Sequence, residues 1–351
     1  MSADPQLSAV VVGDGDYETI RPVIRSLALQ RDPSRIEVIA VVATNGVPMR
    51  PGPEAETLGA VRFVELTDTS ELREARRIGF EAATAPILLL AETHCFPAPG
   101  WLDAVLAAHA EGWAIVGPRV GNANPGSATS WANFFEHYAI YHLEIERGPV
   151  PIAAGHNSTF SRADLLAFGD ELPSLLRDFL GLYQALAERG SRPLLEPAAL
   201  MMHTNMSTLR GWLPECWAGG RTGAALRSRG WSIPRRAAYA LAWPLIAVVE
   251  ILRRAPAVRI ATRRIEVPRS ALPLFVAGIV LRCLGEGAGF LLGRSRRAEL
   301  RLDETETHRL RIVRTRDRES VLAALAADQV PGVAGSEVSR EAIASAAAEK
   351  S

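Results

Sequence analysis

The chain has 351 residues, 48% of them hydrophobic and 22% charged, which is enough for one large domain or two small ones around a real core. Its formal net charge is +0, so no global field recruits nucleic acid. Cys95, Cys216 and Cys283 are odd in number and far apart, which argues against a disulfide framework and a cysteine-built metal site.

The N-terminus, MSADPQLSAVVVGDGD, has no basic start, apolar run and small-residue cleavage site. It therefore does not read as a signal peptide, and the catalytic part is expected in the cytoplasm. Leu7 to Val12 is an apolar run that stops at Gly13 and Asp14. Tyr17 to Gln30 follows with helical spacing at Ile20, Val23, Ile24 and Leu27. Further apolar runs are Ile36 to Val42, Val61 to Leu66, Pro86 to Leu90 and Trp113 to Val116. Helices are predicted over Ser70 to Ala83, with Ser70 as cap, and over Trp101 to Ala110. Uninterrupted apolar runs that alternate with amphipathic helices indicate an α/β fold: strands buried on both faces of a mostly parallel sheet. Ligands of such sheets bind beyond the C-terminal strand ends. That rule selects Gly13–Asp16, Thr44–Gly46, Thr67–Ser70 and Glu92–Cys95.

The middle of the chain is less regular. Ser127 to Glu144 reads as an aromatic-rich helix, Gly155 to Arg162 as a short strand, Leu175 to Arg189 as a helix ended by Gly190, and Pro193 to Met202 as a strand pair or hairpin. After Arg235 the composition changes. Ala237 to Val249 and Ala271 to Gly293 are apolar, the second interrupted by Arg282 and Glu286, and arginines flank both. The first is shorter than the roughly 20 residues a membrane span needs. In-plane interfacial helices or a re-entrant hairpin fit these facts, with a pair of soluble core helices as the alternative. From Ala298 the chain is charged, then rich in Ala, Ser and Glu, and is expected to be loosely ordered at its end. The expected domains are 1–230, a membrane-associated helical region at 231–297, and a charged tail at 298–351.

Polar residues Glu92, Thr93 and His94 stand at the tip of the fourth strand, before Pro97 and the Pro99-Gly100 turn. Glu92 and His94 face one ligand if the extended conformation continues. A carboxylate and an imidazole there suit a divalent cation, which would in turn hold a diphosphate. This stretch resembles the family 2 glycosyltransferases, which have the GT-A (Rossmann-like) fold. Ala75, Arg76 and Gly79 match the family's Ala-Arg-Asn-x-Gly segment, with Arg77 where Asn is usual. Glu92 and His94 occupy the two aspartate positions of its Asp-x-Asp metal motif. Pro97, Trp101 and Leu102 match the family's proline and tryptophan-leucine pair downstream of that motif.

The resemblance extends further. Ser26, Leu27 and Gln30 match the end of the opening helix, while Gly13 and Asp14 replace the family's proline after the first strand and Thr44-Asn45-Gly46 replaces its Asp-x-x-Ser nucleoside-binding tip. Gly155 to Arg162 resembles the Gly-x-Asn-x-x-x-x-Arg segment, with Asn157 apt for sugar hydroxyls. Leu175 to Gly190 resembles the helix that carries the family's catalytic base. Aligned on Gly190, Asp178 is the carboxylate in reach of that role. His203 stands where several enzymes of this fold add a metal or diphosphate contact.

The resemblance thus implies an inverting glycosyltransferase that uses a nucleotide-diphosphate sugar donor, and the basic, apolar C-terminal third points to the cytoplasmic face of the inner membrane and to a lipid-linked or polysaccharide acceptor. Asp178 would be the base. Asp14, Asn45, Arg76, Glu92 and Asn157 would contact the donor. Glu92, His94 and His203 would hold Mg²⁺ or Mn²⁺. Arg210 and Arg221 are candidates for the leaving diphosphate. A nucleotidyltransferase is disfavoured, because Gly13-Asp14-Gly15-Asp16 is acidic where such enzymes use a glycine- and lysine-rich loop. The nonstandard Glu-x-His motivates the other alternative, an inactive scaffold or binding subunit of a polysaccharide assembly complex.

Overall fold

The structure is a computed structural model that describes residues 4–44, 48–69, 71–143, 145–176 and 179–333. Its contacts divide the chain into two units. One comprises Met1–Ala123, Glu144–His203 and Ser320–Ser351; the other comprises Asn124–Leu143 and Thr204–Glu319.

The first unit holds a nine-stranded mixed sheet. Its strands are β1 (Leu7–Gly13), β2 (Ile36–Ala43), β3 (Ala60–Leu66), β4 (Ile87–Leu90), β5 (Cys95–Pro97), β6 (Ile115–Asn122), β7 (Gly148–Pro149), β8 (Thr159–Ser161) and β9 (Pro193–His203). The order is β3-β2-β1-β4-β8-β6-β9-β5, with β7 also on β9. Strands β3, β2, β1 and β4 are mutually parallel, as the apolar runs predict. Strand β8 enters antiparallel between β4 and β6, and β5 pairs antiparallel with β9.

Each run sends alternate side chains to opposite faces. Leu7, Ala9 and Val11 join one core; Val10 and Val12 join the other. Burying each Val, Leu or Ile fully is worth about 1.5–3 kcal/mol, so the two-sided burial of β1 and β2 anchors the unit. Helices α1 (Tyr17–Ala28), α2 (Leu72–Ala82) and α3 (Trp101–Ala110) cover the sheet faces. Asp16 caps α1, its side chain accepting from the Glu18 amide at 3.1 Å. On α2, Gly79 lies against Val10 and Val41, so any side chain there would push the helix off the sheet. Glu37 is buried on β2. Burial pushes its carboxyl up, but hydrogen bonds from Ser8, Thr84 and Ala85 outweigh this and hold it below the ordinary carboxylate range.

The second unit is helical. Helix α4 (Ala128–Tyr138) opens it; α5 (Arg162–Leu166), α6 (Leu172–Leu175) and α7 (Phe179–Glu188) belong to the first unit. It continues with α8 (Leu209–Arg227), α9 (Ile233–Leu241), α10 (Trp243–Arg264), α11 (Ala271–Leu292) and α12 (Arg296–Ile312), and α13 (Thr315–Ala326) follows. Helices α8 and α11 meet backbone to backbone. Gly220 on α8 faces the Arg282 carbonyl, and Gly285 on α11 faces the Trp217 carbonyl.

Several expectations change here. The predicted hairpin at 193–202 is one strand with a register shift at Pro118/Arg119 of its partner β6. Strand β6 runs to Asn122, six residues beyond Val116, through glycines and a proline that hid it. The aromatic helix ends at Tyr138, and within 175–189 the described helix is α7, Phe179–Glu188, with Leu175 ending α6. The charged segment after Ala298 holds most of α12 and all of α13, and the end expected to be loosely ordered, 334–351, lies outside the described residues. Ser70, the expected cap of α2, lies outside the described residues.

Candidate active site at the strand ends

Strand β4 stops at Leu90, and the chain turns at Thr93–His94 before re-entering the sheet as β5. Glu92 and His94 therefore meet through a turn and not along an extended strand. The register of β5 on β9 pairs Cys95 with His203, which brings His203 beside His94. Their rings lie edge to face with centroids 4.9 Å apart. The Asn157 amide donates to the Leu90 carbonyl at 2.9 Å, placing Asn157 across from the same turn.

Glu92 is the hub of this arrangement. Its Oε2 stands 3.7 Å from His94 Nε2 and 3.6 Å from His203 Nε2. Asn157 Nδ2 donates to the same oxygen at 2.5 Å. Asn157 holds a left-handed backbone (φ 63°), which asparagine tolerates better than most residues and which turns its amide toward Glu92. Glu92 is 3% exposed, His94 0%, His203 2% and Asn157 3%. A carboxylate buried to that degree requires compensation by positive charge or hydrogen bonds. Two imidazoles and an amide surround this one.

A histidine that the sequence motifs do not single out joins the cluster. His156 Nδ1 lies 3.6 Å from Glu92 Oε1 and 3.4 Å from Arg76 Nη2, with its ring edge-on to Phe179 at 4.7 Å. Its one signal in the sequence is adjacency: it precedes Asn157 in the glycine-asparagine segment. Arg76, on α2 and 4% exposed, thus reaches the cluster through His156.

Asp14 Oδ1 accepts from Thr19 Oγ1 at 2.8 Å and from the Asp16 amide at 3.2 Å, so this carboxylate is engaged at the start of α1. Arg210 and Arg221 sit on α8 in the second unit. Asn45 and Asp178 lie outside the described residues. A cavity of about 860 Å³ lined by Gln6, Arg35, Pro86 and Asp164 opens at the opposite, N-terminal edge of the strands. By the strand-end rule it is not the reaction site.

Glu92, His94 and His203 present one carboxylate oxygen and two imidazole nitrogens within 4.8 Å of one another, all buried. The donor types and spacing fit a divalent cation.

Residues 10–167 match the model of the family described as glycosyl transferase family 2. This stretch is a family 2 glycosyltransferase domain. The matched range contains the end of β1, β2 through β8, and every residue of the cluster except His203. A comparison with curated proteins finds no match. Solved structures similar to the chain include S. aureus TarS 1-349 (15% identity, 92% of this chain and 87% of that one, TM-score 0.44). The same protein in complex with UDP aligns over 65% and 67% of the two chains at 14% identity and a TM-score of 0.43. The mannosyltransferase PcManGT from Pyrobaculum calidifontis, in complex with GDP-Man and Mn²⁺, aligns at 18% identity over 93% and 86%, with a TM-score of 0.43. The chain accordingly carries a glycosyltransferase domain, built on the α/β sheet of the first unit.

Proposed function

We propose that this glycosyltransferase moves a sugar from a nucleotide-diphosphate donor to a lipid-linked or polysaccharide acceptor, with inversion, at the cytoplasmic face of a membrane. The observation that carries the reading is the convergence of Glu92, His94, His203, His156 and Asn157 beyond the end of β4, where α/β sheets bind ligands. Glu92, His94 and His203 would hold a divalent cation, which when bound supplies positive charge for the departing diphosphate. Arg76 and His156 add donors on the Glu92 Oε1 side. Asn157 orients Glu92. Asp178 is assigned the base on its sequence position, drawing the proton from the acceptor hydroxyl.

Nucleotide recognition is tested by calorimetry with UDP, GDP and dTDP. One of them binds, and Arg76→Ala weakens it by about tenfold or more, the loss of one charge-assisted contact. Equal binding by wild type and Arg76→Ala would remove Arg76 from the site.

The acceptor side of the proposal rests on the second unit. Helix α10 exposes Leu245, Val248, Val249 and Leu252, an i, i+3, i+4, i+7 stripe. Helix α11 exposes Leu272, Val276, Val280 and Leu284, four residues apart. Exposed Arg253, Arg259, Arg263 and Arg264 follow along α10. Apolar stripes beside arginines match an anionic bilayer surface. Helix α11 is the one described helix long and apolar enough to cross a membrane, yet half of its apolar window is buried within the protein. Its Arg282 and Glu286 are spent on ion pairs within the helical unit. In-plane docking fits these facts better than spanning. Vesicle flotation tests it: the protein floats with vesicles containing phosphatidylglycerol, and the double variant Leu245→Asp, Leu252→Asp stays at the bottom. Wild type that fails to float, or a double variant that floats equally, contradicts the docking face.

A further inference from the structure

We propose that the Glu92–His94–His203 cluster is a zinc-class site, taking Zn²⁺ or Co²⁺ in strong preference to Mg²⁺. The proposal deepens the cation part of the transferase reading and rests on that reading for its catalytic meaning, but its test does not.

Three observations carry it. The first is donor type. Two of the three ligand atoms are imidazole nitrogens, and only one is a carboxylate oxygen. Mg²⁺ is a hard ion that takes oxygen ligands and keeps several of its waters. Imidazole favours zinc, cobalt and their neighbours, and two histidines with one glutamate form a known catalytic zinc set.

The second is spacing. The carboxylate oxygen lies 3.7 and 3.6 Å from the two nitrogens. Four ligands at about 2.1 Å in a tetrahedron are separated by about 3.4 Å. Octahedral neighbours at the ~2.1 Å of Mg²⁺ are separated by only about 3.0 Å. The two edges that meet at Glu92 Oε2 are nearer the tetrahedral value. Three protein donors also leave one position of a tetrahedral ion for an outside ligand, which in the transferase reading is a diphosphate oxygen.

The third is the enclosure. All three side chains are at most 3% exposed, which leaves little room for the water shell that Mg²⁺ retains. The donors are also held in place from behind. Asn157 Nδ2 donates to Glu92 Oε2, and the Asn157 backbone is tied to Leu90. His203 ends β9, paired with Cys95 on one side and Asn122 on the other. Supports of this kind fix ligand orientation and raise affinity.

The test uses the full chain, stripped of metal by a chelator and titrated with ZnCl₂, CoCl₂, MnCl₂ or MgCl₂, with no nucleotide sugar present. Calorimetry and thermal unfolding report binding. Visible absorption of the Co²⁺ form reports geometry, intense for a four-coordinate ion and weak for a six-coordinate one. The expected result is Zn²⁺ binding at least about a hundredfold tighter than Mg²⁺, with an intense Co²⁺ band. His94→Ala and His203→Ala should each abolish that band, and Asn157→Ala should weaken Zn²⁺ binding by about ten- to a hundredfold. Comparable Mg²⁺ and Zn²⁺ affinities, a weak six-coordinate Co²⁺ spectrum of the wild type, or Zn²⁺ binding untouched by both histidine variants would overturn the proposal. The wild-type spectrum decides the matter even where a variant fails to fold. Because no donor is present, failure here leaves the transferase reading standing, and an inactive protein that binds zinc leaves this proposal standing.

Discussion

Replacing Glu92 by glutamine is expected to lower nucleotide diphosphate release about a thousandfold, roughly 4 kcal/mol of transition-state stabilisation. The substitution is nearly isosteric, and its carbonyl oxygen still accepts from Asn157, so the turn after β4 is kept. It removes the negative charge at the hub of the cluster. His94, His203 and His156 all lie within 3.7 Å of that carboxylate. Without it the set loses its one anionic donor, and a cation is held less well where the leaving diphosphate gathers charge. The prediction separates from a folding defect by its readout. The rate falls while the urea midpoint and the far-ultraviolet spectrum stay near those of the wild type. A Glu92→Gln protein with more than a tenth of wild-type activity would show that the cluster is not the reaction centre.

The second large effect concerns the helical unit. Arg282 is held among three carboxylates. Its Nη1 is 3.1 Å from Glu286 Oε1, its Nη2 is 3.1 Å from Glu250 Oε2, and its Nε is 3.8 Å from Glu136 Oε1. Arg254 and Arg227 complete the set, on Glu250 and Glu286. Glu136 also accepts from Trp212 Nε1 at 2.9 Å. The Glu136 and Glu286 side chains are 1% and 5% exposed, so their charges rely on these partners.

Arg282→Ala leaves that group of carboxylates short of its central cation. The expected cost is about 4 kcal/mol of unfolding free energy, read by urea denaturation, because breaking a buried pair strands the remaining charge. The quadruple variant Arg282→Met, Glu136→Gln, Glu250→Gln, Glu286→Gln removes Arg282 and its three carboxylates together and should lose less than the single change. The network has a pH signature. Burial raises the Glu250 carboxyl, but the hydrogen bond and charge of Arg254, with Arg282, outweigh it and hold it below the ordinary range. A carboxyl depressed in the folded state stabilises above its unfolded pKa, and that contribution is lost as pH falls through the folded pKa. The stability gap between wild type and Arg282→Ala should therefore narrow in acid. A gap that is small at neutral pH, or that widens in acid, contradicts this account.

The sheet was legible where burial was two-sided. Leu7–Gly13 and Ile36–Ala43 are apolar throughout because both faces are covered, and the sequence announces them plainly. Strand β8 lies within the short strand expected over Gly155 to Arg162. Strand β5 is three residues long and forms because β9 offers its edge. No local pattern encodes that. The cluster was legible in part for the same reason. Glu92 and His94 stand two apart at a strand tip, and His203 ends an apolar run. Their meeting depends on the β5–β9 register, a pairing more than a hundred residues apart in sequence. His156 has no motif of its own, because Asn157 beside it carries the recognisable position. Asp14, the loop carboxylate after the first strand, accepts from Thr19 and from the Asp16 amide at the start of the next helix.

The most direct measurement is release of nucleotide diphosphate from a panel of UDP-, GDP- and dTDP-sugars by the membrane-bound protein. It is run with Zn²⁺, Mn²⁺ or Mg²⁺ for the wild type and for Asp178→Asn. The account predicts release from one donor by the wild type and a loss of at least about a hundredfold in Asp178→Asn, the usual worth of a general base. No release from any donor with any of the three ions would contradict it and would leave a protein that binds without transferring.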